Sequence, residues 1–248
     1  MQAAAAPKMS SPTTHRYILC VLLTVISLCI VALAAPTLFE EAAVQELKRI
    51  NTTLYADETL SNDDLAAAIA HYQTQRRDTL SPHHQAELAL LYSTAAKTAG
   101  TQSLYGLDAL FKAKELLENS LAAAPANSFA WARYAFVSQE LHGDTERMRA
   151  AWLMSIFTAP FEPKLLLWRI EFTASWKNPL SLEENQLFEQ QVAYALRVRN
   201  SLTLKLLAKM NRPDLVSRFI ETLPPEEQRT NLNGYRYFRE QLQNQPER

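Results

Sequence analysis

The residue pairs that could do chemistry in this chain all fall where helices are predicted to begin. His83 and His84 follow Pro82, and adjacent side chains on a helix point about 100° apart, so they seldom share a metal ion. Carboxylates in a first turn favour the positive end of the helix dipole, which explains the acidic pairs without catalysis. The acidic pairs are Asp63-Asp64, Glu183-Glu184 and Glu226-Glu227. No HExxH, GxSxG or glycine-rich phosphate loop occurs, so we predict no catalytic residue, no metal site and no cofactor.

Two charged residues interrupt the apolar segment LLLWRIEF, namely Arg169 and Glu171. A charge in such a helix needs a partner or a water-lined groove. We therefore predict either an internal ion pair or a contact with a bound ligand. A rival hypothesis makes Glu162, Arg169 and Glu171 the acid cluster of an enzyme that acts on envelope glycans.

A second candidate binding set lies on a helix predicted to open at about Ser128. Aromatic, guanidinium and amide side chains recur there at helical spacing, and such groups can hold an extended peptide or stack on sugar rings. The set consists of Phe129, Arg133, Phe136 and Gln139. Plain packing inside the domain is the alternative.

Composition predicts an all-α fold. The chain has only four glycines, which disfavours tight hairpins and glycine-rich nucleotide sites, and it is rich in helix formers.

Both cysteines, Cys20 and Cys29, lie in an N-terminal apolar run, so the remainder can form no disulfide or thiolate zinc site. The 25 basic and 26 acidic residues form no basic stripe, so we predict no nucleic-acid partner.

The segment from Tyr17 to Ala35 is predicted to be a transmembrane anchor. It contains 19 residues without a charge and would span about 28 Å at roughly 1.5 Å per residue. Ala32-Leu33-Ala34 also resembles a cleavage site, so a removed signal, which would leave a secreted soluble binding protein, remains an alternative. Arg16 precedes the segment whereas Glu40 and Glu41 follow it. Because basic residues favour the cytoplasmic side of a membrane span, we predict an anchor in the cytoplasmic membrane with the short tail in the cytoplasm and the body outside it.

Start and stop signals predict the helices of the body. Capping residues or prolines place helix starts near Ser81, Ser181 and Pro225. Two short helices are predicted over Leu204 to Met210 and Leu215 to Leu223. The resulting division is a disordered tail over 1–16, the anchor over 17–35, juxtamembrane helices over 36–80, and a helical domain over 81–248. We also predict a loop through Ser103 and Gly106 and a turn at Gly143-Asp144.

The stretch from Asp108 to Pro160 contains a twofold pattern. Pro125 and Pro160 lie 35 residues apart, and a small residue followed by an aliphatic one precedes each proline in register. Together with Trp131, Gly143 and Trp152, the pattern makes residues 82 to 175 resemble the tetratricopeptide repeat. The resemblance implies a short α-solenoid whose concave face binds a protein partner. The paired small and aliphatic residues are Ser120-Leu121 and Ser155-Ile156, and Met148 and Ser138 depart from the motif.

A second resemblance is carried by the segment from Ser155 to Phe172. It is similar to a segment of small, membrane-anchored, repeat-containing accessory proteins of exopolysaccharide-biosynthesis clusters. The resemblance implies a cell-envelope location and a polysaccharide context. We therefore predict a membrane-anchored interaction scaffold accessory to polysaccharide biosynthesis or export, with a purely structural anchor as a further alternative. The residues that carry the resemblance are Ser155, Thr158, Pro160, Glu162 and Arg169.

Overall fold

The computed structural model describes residues 17, 19–33, 62–74 and 80–244. The chain divides into two units, Met1–Leu60 and Ser61–Arg248. In the first unit, residues 19–33 form helix α1, and every side chain in that range is exposed. Among the residues that the structure describes, no helix is long and apolar enough to cross a membrane. The predicted tail over 1–16 and most of the predicted juxtamembrane segment over 36–80 lie outside the described residues.

All regular secondary structure in the described part of the second unit is helical, which confirms the predicted all-α class. Its helices are α2 (Asn62–Thr74), α3 (Pro82–Ala99), α4 (Leu104–Ala123), α5 (Ser128–His142), α6 (Glu146–Thr158), α7 (Pro163–Ala174), α8 (Leu182–Val198), α9 (Asn200–Lys209), α10 (Pro213–Ile220) and α11 (Pro225–Gln243).

Side-chain caps fix where several of these helices begin. The Ser81 hydroxyl accepts the backbone N–H of His84 at 3.3 Å, and Asn127 caps α5 in the same way. At α8, Ser181 accepts the Glu184 N–H at 3.2 Å while the Glu184 carboxylate accepts the Ser181 N–H at 2.7 Å. These bonds satisfy amides that the first turn leaves without partners, and they confirm the predicted starts.

Three predicted boundaries are wrong, including those of α10, which spans Pro213–Ile220 where Leu215 to Leu223 was predicted. Helix α4 begins at Leu104, so Gly106 lies inside a helix and not in the predicted loop. The Ser103 hydroxyl accepts the Gly106 N–H at 3.0 Å and starts the helix earlier than the glycine suggested. Helix α9 begins at Asn200, ahead of the predicted Leu204, because the chain re-enters a helix directly after a break at Arg199.

The helices stack as successive pairs. Helix α3 packs on α4, α5 on α6, and α7 on α8, while α5 also contacts α3 and α7, and α7 contacts α9. Helix α2 packs on α3, and α11 packs on α9 and α10. Fully buried side chains along this stack include Leu110, Leu117, Trp152, Ile170 and Phe188. The alternate helices α3, α5, α7 and α9 therefore form one continuous layer that positions the predicted binding residues.

Candidate functional site: helix α5 and its neighbours

The four binding residues predicted on α5 are all half-buried. Phe129, Phe136 and Arg133 lie within one arc of the helix at spacings of three and four residues. An Arg133 Nη1 N–H donates to the Ala86 carbonyl of α3 at 2.7 Å. Arg133 therefore ties α5 to α3, so at least part of its guanidinium serves packing within the domain.

Gln139 makes the corresponding connection on the other side of α5. Its Nε2 donates to the Ser175 hydroxyl at 2.8 Å, at the C-terminal end of α7. Helix α7 also presents Trp168, which is half-buried and stacks on Phe172 with ring centroids 4.6 Å apart. The layer therefore combines partly exposed aromatic side chains with polar bonds that hold α5 between α3 and α7.

Arg169 lies in the interior of the domain, with no exposed surface. Its Nη1 donates to the Ala159 carbonyl at 3.1 Å and to Gln191 Oε1 at 3.0 Å. Its Nε donates to the Ser155 hydroxyl at 3.3 Å, and its Nη2 donates to the Ser155 carbonyl. All four acceptors are neutral, so the structure shows no internal ion pair here and places the guanidinium away from any surface ligand.

The position of Arg169 explains how a buried cation is accommodated. Ser155 and Ala159 lie at the C-terminal end of α6, where carbonyls lack amide partners and the helix dipole favours a positive charge. Burial lowers the pKa of Arg169 to about 10, and the charge of Glu162 acts in the opposite direction. The side chain is thus still protonated at neutral pH and caps α6 from the following helix.

The glycan-enzyme hypothesis required three charged residues to act together, and the structure does not assemble them. Glu162 caps the start of α7 by accepting the Lys164 N–H at 3.2 Å. Glu171 is exposed near the other end of α7 and pairs with Lys209 of α9 at 2.9 Å. Arg169 between them is buried, so no cleft contains all three groups.

Arg149 forms a charge cluster that no motif in the sequence predicts. Its Nε and Nη2 donate to the two carboxylate oxygens of Asp144, at 2.8 and 3.0 Å, and its Nη1 donates to Glu184 at 2.9 Å. Hydrogen bonds from Arg149 lower the pKa of Asp144, and hydrogen bonds to Asp144 raise the pKa of Arg149. The turn at Gly143-Asp144 and the capping box at Ser181 were each predicted, but no sequence signal joined them.

The same guanidinium also fixes the connection between α7 and α8. It donates to the carbonyls of Asn178 at 2.9 Å and Pro179 at 3.1 Å. Its central carbon lies 4.7 Å from the ring centroid of Trp176, which in turn meets the fully buried Trp152 edge to face at 5.2 Å. Arg149 therefore locks a loop to two helices and works as a structural clamp.

A pocket of about 420 Å³ lies on the opposite side of α5, between α4 and α6. Tyr134 borders it and donates its hydroxyl to Glu118 at 2.9 Å. Glu118 also accepts from Lys114 and Arg147, each at 2.7 Å. Burial and the bond to Glu118 raise the pKa of Tyr134 to about 12. Burial raises the pKa of Glu118, but the hydrogen bonds from Lys114 and Tyr134 outweigh it, so the net effect is a lowered pKa.

The adjacent histidines His83 and His84 have local structural roles. His84 is buried and its Nδ1 lies 3.0 Å from the Ser81 hydroxyl, whereas the exposed His83 lies 3.3 Å from Glu87 one turn later. In the described ranges, no three histidine, cysteine or acidic side chains lie close enough together to hold a metal ion.

Comparison with known proteins assigns no family. No protein-family model matches the chain, and neither a curated protein nor a solved structure is similar to it. The resemblances to tetratricopeptide repeats and to exopolysaccharide accessory proteins therefore stay predictions from the sequence.

Proposed function

We propose that this protein is a membrane-anchored interaction scaffold whose helical body presents the partly exposed side chains of α5 and α7 to a protein partner. The observation that carries the proposal is the set of partly exposed aromatic side chains on adjacent helices, Phe129 and Phe136 on α5 and Trp168 on α7. Large aromatic side chains dominate the energetics of protein interfaces, because they bury much area and have few rotatable bonds to order.

The hydrogen bonds around these aromatics support a preformed surface. Arg133 joins α5 to α3, and Gln139 joins α5 to α7, so the helices that carry the aromatic rings are held in place. A surface that is rigid before binding loses less conformational entropy when a partner docks. An extended or helical peptide lying across α5 and α7 fits this arrangement best.

The proposed body is a short tetratricopeptide-like solenoid. The alternate contacts of α3, α5, α7 and α9 support this proposal. So do Ser120 and Ser155, which occupy equivalent places in the two sequence copies and are both fully buried. The Ser120 hydroxyl donates to the Pro82 carbonyl at 2.6 Å and Ser155 bonds to Arg169, so each small residue lets a neighbouring helix approach closely.

The proposed anchor is the uncharged segment 17–35, with the body on the extracytoplasmic side. Its support is the charge-free sequence and the exposure of every described apolar side chain in α1. A reporter enzyme that is active only outside the cytoplasm, fused after Arg248, should be active in cells. Activity confined to a reporter that needs the cytoplasm would overturn this orientation.

Site-specific photocrosslinking tests the proposed binding face. A photoreactive residue placed at Phe136 or at Trp168 in the full chain should crosslink one and the same protein in the source cells. The matched control is Phe157 on α6, which is 59% exposed but lies outside the α3–α5–α7–α9 layer. Phe136→Ala should reduce recovery of the crosslinked protein at Trp168 about ten-fold or more, whereas Phe157→Ala should not. Equal crosslinking from all three positions would reject this face as the binding site.

A further inference from the structure

The corner between α8 and α9 is an unusual surface in this domain. Every residue from Arg197 to Leu202 is exposed, although the stretch joins two helices that pack on each other. Two aliphatic side chains in this corner, Val198 and Leu202, expose 45% and 50% of their area. The corner thus exposes apolar side chains between charged ones where the chain turns from α8 into α9.

The sequence around this corner is basic. From Gln190 to Pro213 the sequence contains five basic residues and no carboxylate, although the whole chain has a formal net charge of −1. Two of the five, Lys209 and Arg212, are paired with Glu171 and Asp214, which lie outside this stretch.

The other three basic residues of the stretch are exposed and lack an acidic partner. They are Arg197, Arg199 and Lys205, and within the described part of the chain none of them forms an ion pair. The corner therefore has three exposed basic side chains that form no ion pair with a described residue, on a protein whose formal net charge is −1.

We infer that the α8–α9 corner docks on an anionic lipid surface. The basic side chains would contact the lipid phosphates, and Val198 and Leu202 would enter the boundary between headgroups and acyl chains. Interleaved cations and aliphatic side chains suit such an interface, where long basic side chains reach the headgroups while apolar groups lie deeper. Each basic residue near an anionic membrane increases binding by roughly five-fold, so three act together strongly.

A lipid surface fits this corner better than a nucleic acid does. Three cations would neutralise few phosphates of an extended polyanion, and nucleic-acid binding gives no role to exposed Val198 and Leu202. The inference rests on the proposed membrane anchor only in that the anchor would keep the body near a bilayer. It is independent of the proposed protein partner on α5 and α7.

Fluorescent labelling of the full chain in vesicles tests the inference. In a background of Cys20→Ser and Cys29→Ser, a single cysteine from Ser201→Cys would carry an environment-sensitive dye at the corner. A second protein, with Ile26→Cys, would report insertion of the anchor. Vesicles of phosphatidylcholine with and without phosphatidylglycerol are compared at low and high salt. We expect the dye at position 201 to shift to the blue only with phosphatidylglycerol, and to lose that shift at high salt.

Matched charge variants identify the source of the effect. Arg197→Gln with Arg199→Gln should reduce the equilibrium constant for docking of the corner on phosphatidylglycerol vesicles, measured by the dye at position 201, by roughly 25-fold, as two five-fold losses. The control is Arg229→Gln with Arg236→Gln, two exposed arginines on α11, which should change it less than two-fold.

The possible outcomes separate this inference from the proposed anchor. Insertion at position 26 without a response at position 201 in anionic vesicles would overturn the corner's role and leave the anchor intact. A response at position 201 without insertion at position 26 would support the corner and reject the anchor. No response at either position would reject both. A larger shift with a single-stranded oligonucleotide than with vesicles at equal salt would replace lipid by nucleic acid as the ligand.

Discussion

Arg149 donates two hydrogen bonds, of 2.8 and 3.0 Å, to the carboxylate of Asp144, which lies just before the start of helix α6. The Asp144 side chain is 4% exposed and that of Arg149 is 17% exposed, so water screens this pair poorly. Removing one partner of such a pair leaves the other charge buried without compensation. A substitution in this pair therefore tests whether Arg149 stabilises the connection between α7 and α8.

Asp144→Asn should lower the free energy of unfolding by about 2 to 4 kcal/mol. The measurement is urea denaturation followed by circular dichroism at neutral pH. Asp108→Asn serves as the control, because Asp108 forms a surface pair with Lys112 and exposes 59% of its side chain. Surface pairs contribute about 0 to 1 kcal/mol, so equal losses for the two variants would contradict the clamp.

The same carboxylate predicts a dependence on acidic pH. The pKa of Asp144 is below its ordinary value of 3.8 because Arg149 donates hydrogen bonds to the ionised form. Its contribution is therefore complete above pH 3.8 and is lost as the pH falls through the lowered folded-state pKa. The free energy of unfolding of Asp144→Asn should consequently fall less steeply than that of the wild type over this acidic range.

Arg169→Lys should destabilise the domain by about 2 to 4 kcal/mol, since an ammonium group cannot reach the four acceptors that the guanidinium fork serves. These acceptors belong to Ser155, Ala159 and Gln191. Arg197→Lys, at an exposed position on α8, should change the stability by about 0.5 kcal/mol or less. Thermal unfolding compares the stability of the two variants. An Arg169→Lys protein as stable as Arg197→Lys would show that the C-terminal end of α6 needs no guanidinium cap.

Tyr134 predicts a loss of stability at alkaline pH. An unfolded tyrosine ionises near pH 10, whereas the pKa of Tyr134 in the folded protein is about 12. Stability is complete below pH 10 and falls as the pH rises toward 12, because only the unfolded state gains from ionisation. The difference corresponds to roughly 2 to 3 kcal/mol. Tyr134→Phe should remove most of this slope in denaturation curves, while Tyr105→Phe, at a 56% exposed position, should keep it.

Gly106→Ala should destabilise the start of α4. A Cβ atom at Gly106 would lie 2.2 Å from the Gly100 carbonyl oxygen, so backbone would have to move. We expect a loss of about 2 kcal/mol or more. Gly234→Ala is the matched control on α11, where the added Cβ would meet only a Leu204 methyl group at 3.0 Å and alanine favours the helix. A larger loss for Gly234→Ala than for Gly106→Ala in urea denaturation would contradict this explanation.

Patterns within one or two helical turns were sufficient to predict the fold class and most helix starts. Ser81, Asn127 and the Ser181–Glu184 pair act within three residues of their partners, so their roles are visible in the sequence. Gly106 was misplaced because a glycine near a helix start resembles a loop residue. A glycine is needed at position 106 because the Gly100 carbonyl packs directly against it, and this contact is visible only in the structure.

The roles of the charged residues could not be predicted in the same way. Arg169 meets Gln191 and Arg149 meets Glu184 across 22 and 35 residues of sequence, so their partners depend on how separate helices stack. The sequence by itself determined an all-helical chain with an apolar N-terminal segment, because helix propensity, capping and hydrophobic spacing act locally. Only the tertiary structure decided that Arg169 caps a helix, that Arg149 clamps a loop and that Phe136 remains partly exposed. Burial and charge pairing are properties of neighbours in space, and these neighbours come from distant parts of the chain.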